Sequence, residues 1–130
     1  MKDGQIQLVL DSSAVLAYAA GSIHVGETIA EVVEEGARFG ACVVALAEAS
    51  RLVRDEEAIG VPLLARHTRF EPLPAMSEDW TRIAWWSRAL GSVDRAAALV
   101  EALDRDAYVV TAEPAAYGLK GVDELPVIGI

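Results

Sequence analysis

One cysteine, Cys42, and two histidines, His24 and His67, are the only thiol and imidazole metal ligands in this 130-residue chain. A lone cysteine excludes an internal disulfide and any cysteine-based zinc site. The two histidines have no partner at metal-ligand spacing and read as ordinary surface or loop residues. No uninterrupted apolar run approaches the roughly 20 residues of a membrane span. The N-terminal stretch MKDGQIQLVLDSS lacks the apolar segment and small-residue cleavage site of a signal peptide. Neither GxGxxG nor GxxxxGKS/T occurs, which removes the usual signatures of dinucleotide and P-loop nucleotide binding. Bases are scarce: 11 Lys and Arg stand against 20 Asp and Glu, a formal charge of −9. A fold that holds nucleic acid by a broad basic face has the opposite balance.

What is present is apolar. The chain is 53% hydrophobic and 24% charged with a mean hydropathy of +0.30, enough to build a core and to exclude intrinsic disorder. Its length fits one domain spanning 1–130, and the expected setting is soluble and cytoplasmic.

The pattern alternates between strands and helices. QIQLVL (5–10) is a short buried strand ending at Asp11, and AVLAYAA continues as a helix that stops near Gly21. From Gly26 to Gly40 the apolar positions Ile29, Ala30, Val32, Val33 and Ala37 recur at helical spacing, with Glu27, Glu31, Glu34 and Glu35 on the wet side. ACVVA (41–45) reads as a second strand and ALAEASRLVRDEE as a second long helix. Pro62, Pro72 and Pro74 break the next stretch, which holds one short strand near Phe70. SEDWTRIAWWSRAL is a helix ending at Gly91, and Asp94 caps the helix RAAALVEALDRD. AYVVT (107–111) is a further core strand, EPAAYG a helical turn and LPVIGI a last strand. This alternation predicts βαβ units and a mainly parallel sheet, hence one three-layer α/β domain.

In an open parallel sheet, ligands bind beyond the carboxyl ends of the strands, where strand order reverses. That rule selects Asp11 after the first strand, Glu48 one turn past the second, and Glu113 two residues beyond Thr111. Asp94 joins them if its helix N-terminus points the same way. Each has an ordinary alternative: Asp11 and Asp94 as N-caps, Glu48 at the edge of an apolar helix face, Glu113 in a loop before Pro114. Together, four carboxylates in one cleft would repel, and a divalent cation would remove the conflict. Hard oxygen ligands suit Mg²⁺ or Mn²⁺, which support phosphodiester hydrolysis without a histidine base or serine nucleophile. Ser12 and Ser13 have no histidine base beside them, so serine hydrolysis is excluded as a reading.

LVLDSSAVLAY, Glu48 in VVALAEASRLV, Asp94 in GSVDRAAALVEAL, and VVTAEPAAYG resemble the PIN domain, particularly the VapC-type toxins of bacterial toxin–antitoxin pairs. The resemblance runs in the right order over essentially the whole chain. It implies a parallel sheet of order 3-2-1-4-5 and an Mg²⁺- or Mn²⁺-dependent ribonuclease, often dimeric and often inhibited by an antitoxin. Asp11, Glu48, Asp94 and Glu113 match the four acidic positions that bind metal and catalyse. Ser12 or Ser13 would be the small polar residue after the first aspartate, and Thr111 the threonine before the last acid. Two positions depart from the family pattern. The last acid is glutamate where aspartate is more usual, and Asp94 is followed by Arg95 where the family usually has a small residue.

The competing reading is a non-catalytic PIN-like module that acts by binding a protein partner, which the acidic charge and Glu113 favour. Haloacid-dehalogenase-type enzymes want a second aspartate where Ser13 stands, and receiver domains want an acidic cluster that is missing here. Trp80, Trp85 and Trp86 share one helix with Ile83 and Leu90 and cannot all face one core, which predicts a homodimer or partner surface. Arg51, Arg54, Arg66, Arg69, Arg82, Arg88 and Arg95 either rim the cleft and hold phosphates or pair with acids on solvated helical faces.

Overall fold

The apolar, β-branched runs of the sequence become five short parallel strands in a computed structural model that describes residues 4–118 and 124–130. The first residues of the N-terminal stretch read above, 1–3, lie outside the described residues. The strands are β1 (Ile6–Leu10), β2 (Arg38–Cys42), β3 (Phe70–Leu73), β4 (Tyr108–Thr111) and β5 (Val127–Gly129). They form one sheet of order 3-2-1-4-5 in which every neighbouring pair is parallel. Around it lie α1 (Ser12–Ala19), α2 (Ile23–Glu34), α3 (Val43–Leu52), α4 (Gly60–Ala65), α5 (Trp80–Leu90) and α6 (Val93–Arg105). The three-layer α/β architecture expected from the alternation is the one observed.

A strand buried on both faces must be apolar throughout, and β1 shows why. Leu8 and Leu10 point into a cluster with Val15 of α1, Val25 and Ile29 of α2, and Leu64 of α4. Val9, between them, points the other way, into a cluster with Leu90 of α5 and Leu99 of α6. Leu10, Phe39, Leu64, Leu73 and Leu99 are fully buried, each contributing about 1.5–3 kcal/mol through removal from water.

Several boundaries differ from the sequence reading. The second strand is Arg38–Cys42, not 41–45: Val43–Ala45 already belong to α3. A short apolar run suits a buried strand and a buried helix turn equally, so hydropathy could not place the switch. Helix α2 ends at Glu34 rather than running on to Gly40, because Gly36 takes a positive φ of 84°. The amides of Gly36 and Ala37 there close back on the carbonyls of Val33 and Val32. The stretch read as a second long helix divides into α3 and a 3₁₀ turn at Asp55–Glu57. Pro62 does not break structure; it lies in the first turn of α4, where the missing N–H costs nothing. Gly91 adopts φ 76° at the end of α5 and reverses the chain into α6, a conformation that glycine takes without strain. That reversal brings Asp94 to the carboxyl end of β1.

Among the described residues, no helix is long and apolar enough to cross a membrane.

Candidate active site

Asp11 follows β1 directly, with extended backbone (φ −82°, ψ 179°), so its carboxylate folds back over the start of α1. Its Oδ1 accepts from the Ala14 amide at 3.0 Å and the Ser13 hydroxyl at 2.6 Å, while Oδ2 accepts from the Tyr117 hydroxyl at 2.7 Å. The N-cap reading and the cleft reading of Asp11 are therefore both realised by one side chain. It is 1% exposed.

Asp94 is not the N-cap of its helix. Helix α6 begins two residues earlier than expected, at Val93, and Ser92 caps it, its hydroxyl accepting from the Arg95 amide at 3.2 Å. Asp94, in the first turn, is thereby free to reach α1. It accepts from the Ser12 amide at 3.1 and 3.2 Å and from the Ser12 hydroxyl at 2.5 Å. Two helix N-termini thus converge on the two aspartates: α1 offers amides to both, and Asp94 also lies at the positive end of α6.

Thr111, fully buried at the end of β4, links this group to the last acid. Its hydroxyl lies 3.1 Å from Ser13 Oγ and accepts from the Glu113 amide at 3.0 Å. Ser13 Oγ in turn accepts from the Ala112 amide at 2.9 Å. The shared hydrogens order themselves: Thr111 donates to Ser13, and Ser13 donates to Asp11.

Burial pushes the Asp94 carboxyl above its ordinary range, the Ser12 hydroxyl and amide oppose that, and the charges of Asp11 and Glu48 raise it further. Two of the other predicted acids, Asp11 and Glu48, are therefore felt at Asp94. Glu48 shares with Asp94 an open cleft of about 680 Å³, also lined by Val44, Arg51, Gly91 and Ser92. Its carboxylate is held by Arg51, with Nε–Oε1 2.7 Å and Nη2–Oε2 3.0 Å, and this pairing keeps it below the usual glutamate range. Glu113 is more exposed and pairs with Arg95, Nη2–Oε2 3.5 Å. The repulsion expected among four acids is thus answered by arginine at the two glutamates and by hydroxyls and amides at the two aspartates.

Tyr117 was not legible as a site residue. It is 4% exposed, and burial followed by the Asp11 charge holds its hydroxyl far above the ordinary tyrosine range, so it is a permanent donor. An aromatic at the end of EPAAYG signals packing; nothing in the spacing shows that its hydroxyl spans 106 positions to Asp11.

The donor set fits a hard divalent cation in kind. Mg²⁺ keeps several waters and needs only one or two protein carboxylates, and Asp11 Oδ2 and Asp94 Oδ1, with one donor each, retain acceptor capacity. Among the described residues, no group of three or more His, Cys, Asp or Glu side chains is gathered closely enough to hold a metal by protein ligands alone.

No protein-family model matches the sequence. No curated protein matches it at a significant level of similarity.

Proposed function

We propose that this protein is an Mg²⁺- or Mn²⁺-dependent ribonuclease of PIN type that hydrolyses RNA phosphodiester bonds and serves as the toxin of a toxin–antitoxin pair. The observation that carries the reading is the Asp11–Asp94 pair. Two carboxylates lie buried at the carboxyl end of a parallel sheet, within electrostatic reach of each other, and among the described residues no cationic side chain is bonded to either. Such an arrangement is costly unless a cation enters the site. Asp11 and Asp94 would hold the ion, with Glu48 reaching it across the cleft. A bound divalent cation would polarise a phosphoryl oxygen and acidify a water. The chain's own contribution is orientation: Ser13, Tyr117 and the α1 amides lock Asp11, and Ser12 locks Asp94. Each carboxylate therefore meets its ligand in one geometry.

The test is direct. Mn²⁺ at about 5 mM, in large excess over a weak site's dissociation constant, should raise the melting temperature of the wild type but not of Asp11→Asn. Wild type should cut RNA and Asp11→Asn should not. If Mn²⁺ leaves the wild-type melting point unchanged and no RNA is cut, the nuclease reading fails.

A second reading then takes its place: a PIN-like module that binds a protein. Specific observations favour it. Arg51 and Arg95 already neutralise Glu48 and Glu113, and Trp80 and Trp85 on α5 are 70% and 62% exposed. Trp86 packs on the core beneath Leu90, and Trp85 stands edge-on to it at 4.8 Å. Under either reading we place a homodimer contact on this face of α5. Light scattering at micromolar concentration should give the dimer mass, with Trp85 fluorescence shielded from quencher; a monomer with accessible Trp85 removes the contact.

A further inference from the structure

The chain carries −9 overall, so no general positive field draws a polyanion to the cleft, and any phosphate must be met by a particular cation. The arginines are largely committed elsewhere. Arg82 grips Asp104 at 2.8 and 3.1 Å, Arg105 grips Glu101 at 2.6 Å, and Arg69 donates to the carbonyls of Gly36 and Ala37. Arg38 stands at the start of β2, at the opposite end of the sheet from the aspartates. Arg51 spends both arms of its fork on Glu48.

Arg95 is different. One arm is pinned, Nη1 donating to the Leu90 carbonyl at 2.8 Å, so the guanidinium is fixed in place. The other arm faces Glu113 at 3.5 Å, an ion pair without a hydrogen bond. The Arg95 side chain is 22% exposed, whereas Glu113 is 59% exposed, so the glutamate can swing into water and the arginine stays. Its charge is felt at the Tyr117 hydroxyl, the same hydroxyl that donates to Asp11. A pinned, half-buried guanidinium whose other arm is held only by an exchangeable ion pair has the properties a phosphate contact needs: planar, always charged and already ordered.

We propose that Arg95 is the residue that binds the phosphate of the RNA substrate, and that Glu113 is its displaceable counter-ion rather than a metal ligand. This rests on the ribonuclease reading and assigns the two residues that depart from the family pattern, Arg95 and Glu113, to one function. Glutamate at position 113 has the reach to meet Arg95 and leaves when a phosphate arrives.

The test is binding of a fluorescent single-stranded RNA in EDTA, where no hydrolysis occurs, as a function of salt. Arg95→Gln should weaken binding about 10-fold, the loss expected for a charge-assisted contact, and lower the salt slope by about 0.7, one phosphate contact on a single strand. Glu113→Gln should tighten binding about two- to five-fold by removing the competing carboxylate. Arg95→Lys keeps the charge, so it should retain the salt slope even if affinity falls; it also guards against an Arg95→Gln variant that fails to fold. Arg82→Gln, on α5 and paired with Asp104 at the far end of α6, should leave affinity and slope unchanged. The proposal is overturned if Arg95→Gln behaves like Arg82→Gln, or if the wild type does not bind RNA in EDTA. It is also overturned if Arg95→Gln and Glu113→Gln both lower the melting point without changing RNA affinity, the mark of a purely structural pair. Mn²⁺ titration of the wild type, followed by melting temperature, is independent of these outcomes. It can fail with the phosphate contact intact, which would sink the nuclease reading alone.

Discussion

The aspartates and the glutamates of the candidate site are held by opposite means. Asp11 and Asp94 are buried, and their partners are uncharged: two serine hydroxyls, a tyrosine hydroxyl and helix N-terminal amides. Glu48 and Glu113 lie towards water, and each has an arginine. Neutral donors orient a carboxylate without cancelling its charge, whereas a guanidinium cancels the charge and competes for the same oxygens. The buried pair is thus held in place without a cationic partner among the described residues, and under the proposed function it is where the cation would bind. The exposed pair consists of carboxylates whose charge is already answered and whose contacts can exchange. The difference teaches that four acids at one sheet end need not form one ligand set.

The comparison breaks most visibly at Asp11. Asp11→Asn keeps a good N-cap and a group able to pair with Tyr117, so stability should stay within about 1 kcal/mol. Cleavage should fall by more than the roughly 100-fold typical of residues that only orient a metal ligand. Asp11→Ala removes the cap, worth about 1 kcal/mol, and strands a buried hydroxyl, worth about 1–3 kcal/mol. Urea denaturation should show a loss of roughly 2–4 kcal/mol. A fully stable Asp11→Ala variant would show that the buried anion is not built into the fold.

Tyr117→Phe sharpens the contrast, since it deletes one neutral donor and leaves the charge in place. The expected cost is about 1–2 kcal/mol by urea denaturation, because Asp11 Oδ2 loses its partner in a dry site. Cleavage should drop by about 10-fold, the lower range for a residue that orients a ligand. No change in either quantity would remove Tyr117 from the site.

Glu101 of α6 combines the two situations: it is 4% exposed like the aspartates, yet paired with Arg105 like the glutamates. Burial raises its carboxyl more than the Arg105 charge lowers it. The folded state therefore holds this proton to higher pH than the unfolded chain does. The stability it contributes is present below the unfolded glutamate value and is lost as pH rises through the folded one. Relative to Glu101→Gln, the wild type should gain stability as pH is lowered from neutrality towards about 4. Parallel stability–pH profiles for the two proteins would show that Arg105 fully offsets burial.

The smallest effect is expected at Arg51. Its pair with Glu48 is exposed, so Arg51→Gln should leave the melting temperature of the metal-free protein unchanged within error. In the presence of Mn²⁺ the same variant should melt higher than wild type, because Glu48 is released to the cation. A large loss of stability would move Glu48 from the exchangeable class to the structural one.

The sequence alone determined the fold class and where the candidate site would lie. Apolar runs of strand length, spaced by amphipathic helices, leave few arrangements except a parallel sheet, and chain direction then puts the residues after the strands at its carboxyl end. Asp11, Glu48 and Glu113 were legible for that reason, Asp94 only if its helix pointed the same way, and Thr111 only through the family resemblance. Elements whose ends depend on a single competition were not: Val43–Ala45 could extend β2 or start α3, and Pro62 could break a helix or open one. Tertiary structure decided these through packing against Ala49, Leu64 and the rest of the core. It also decided the partners of the acids. A sequence lists carboxylates and guanidinium groups but not which lie within 4 Å of each other. Only the turn at Gly91, the early start of α6 at Ser92 and the short turn before Tyr117 send Asp94 to Ser12, Arg95 to Glu113, and a tyrosine hydroxyl to Asp11.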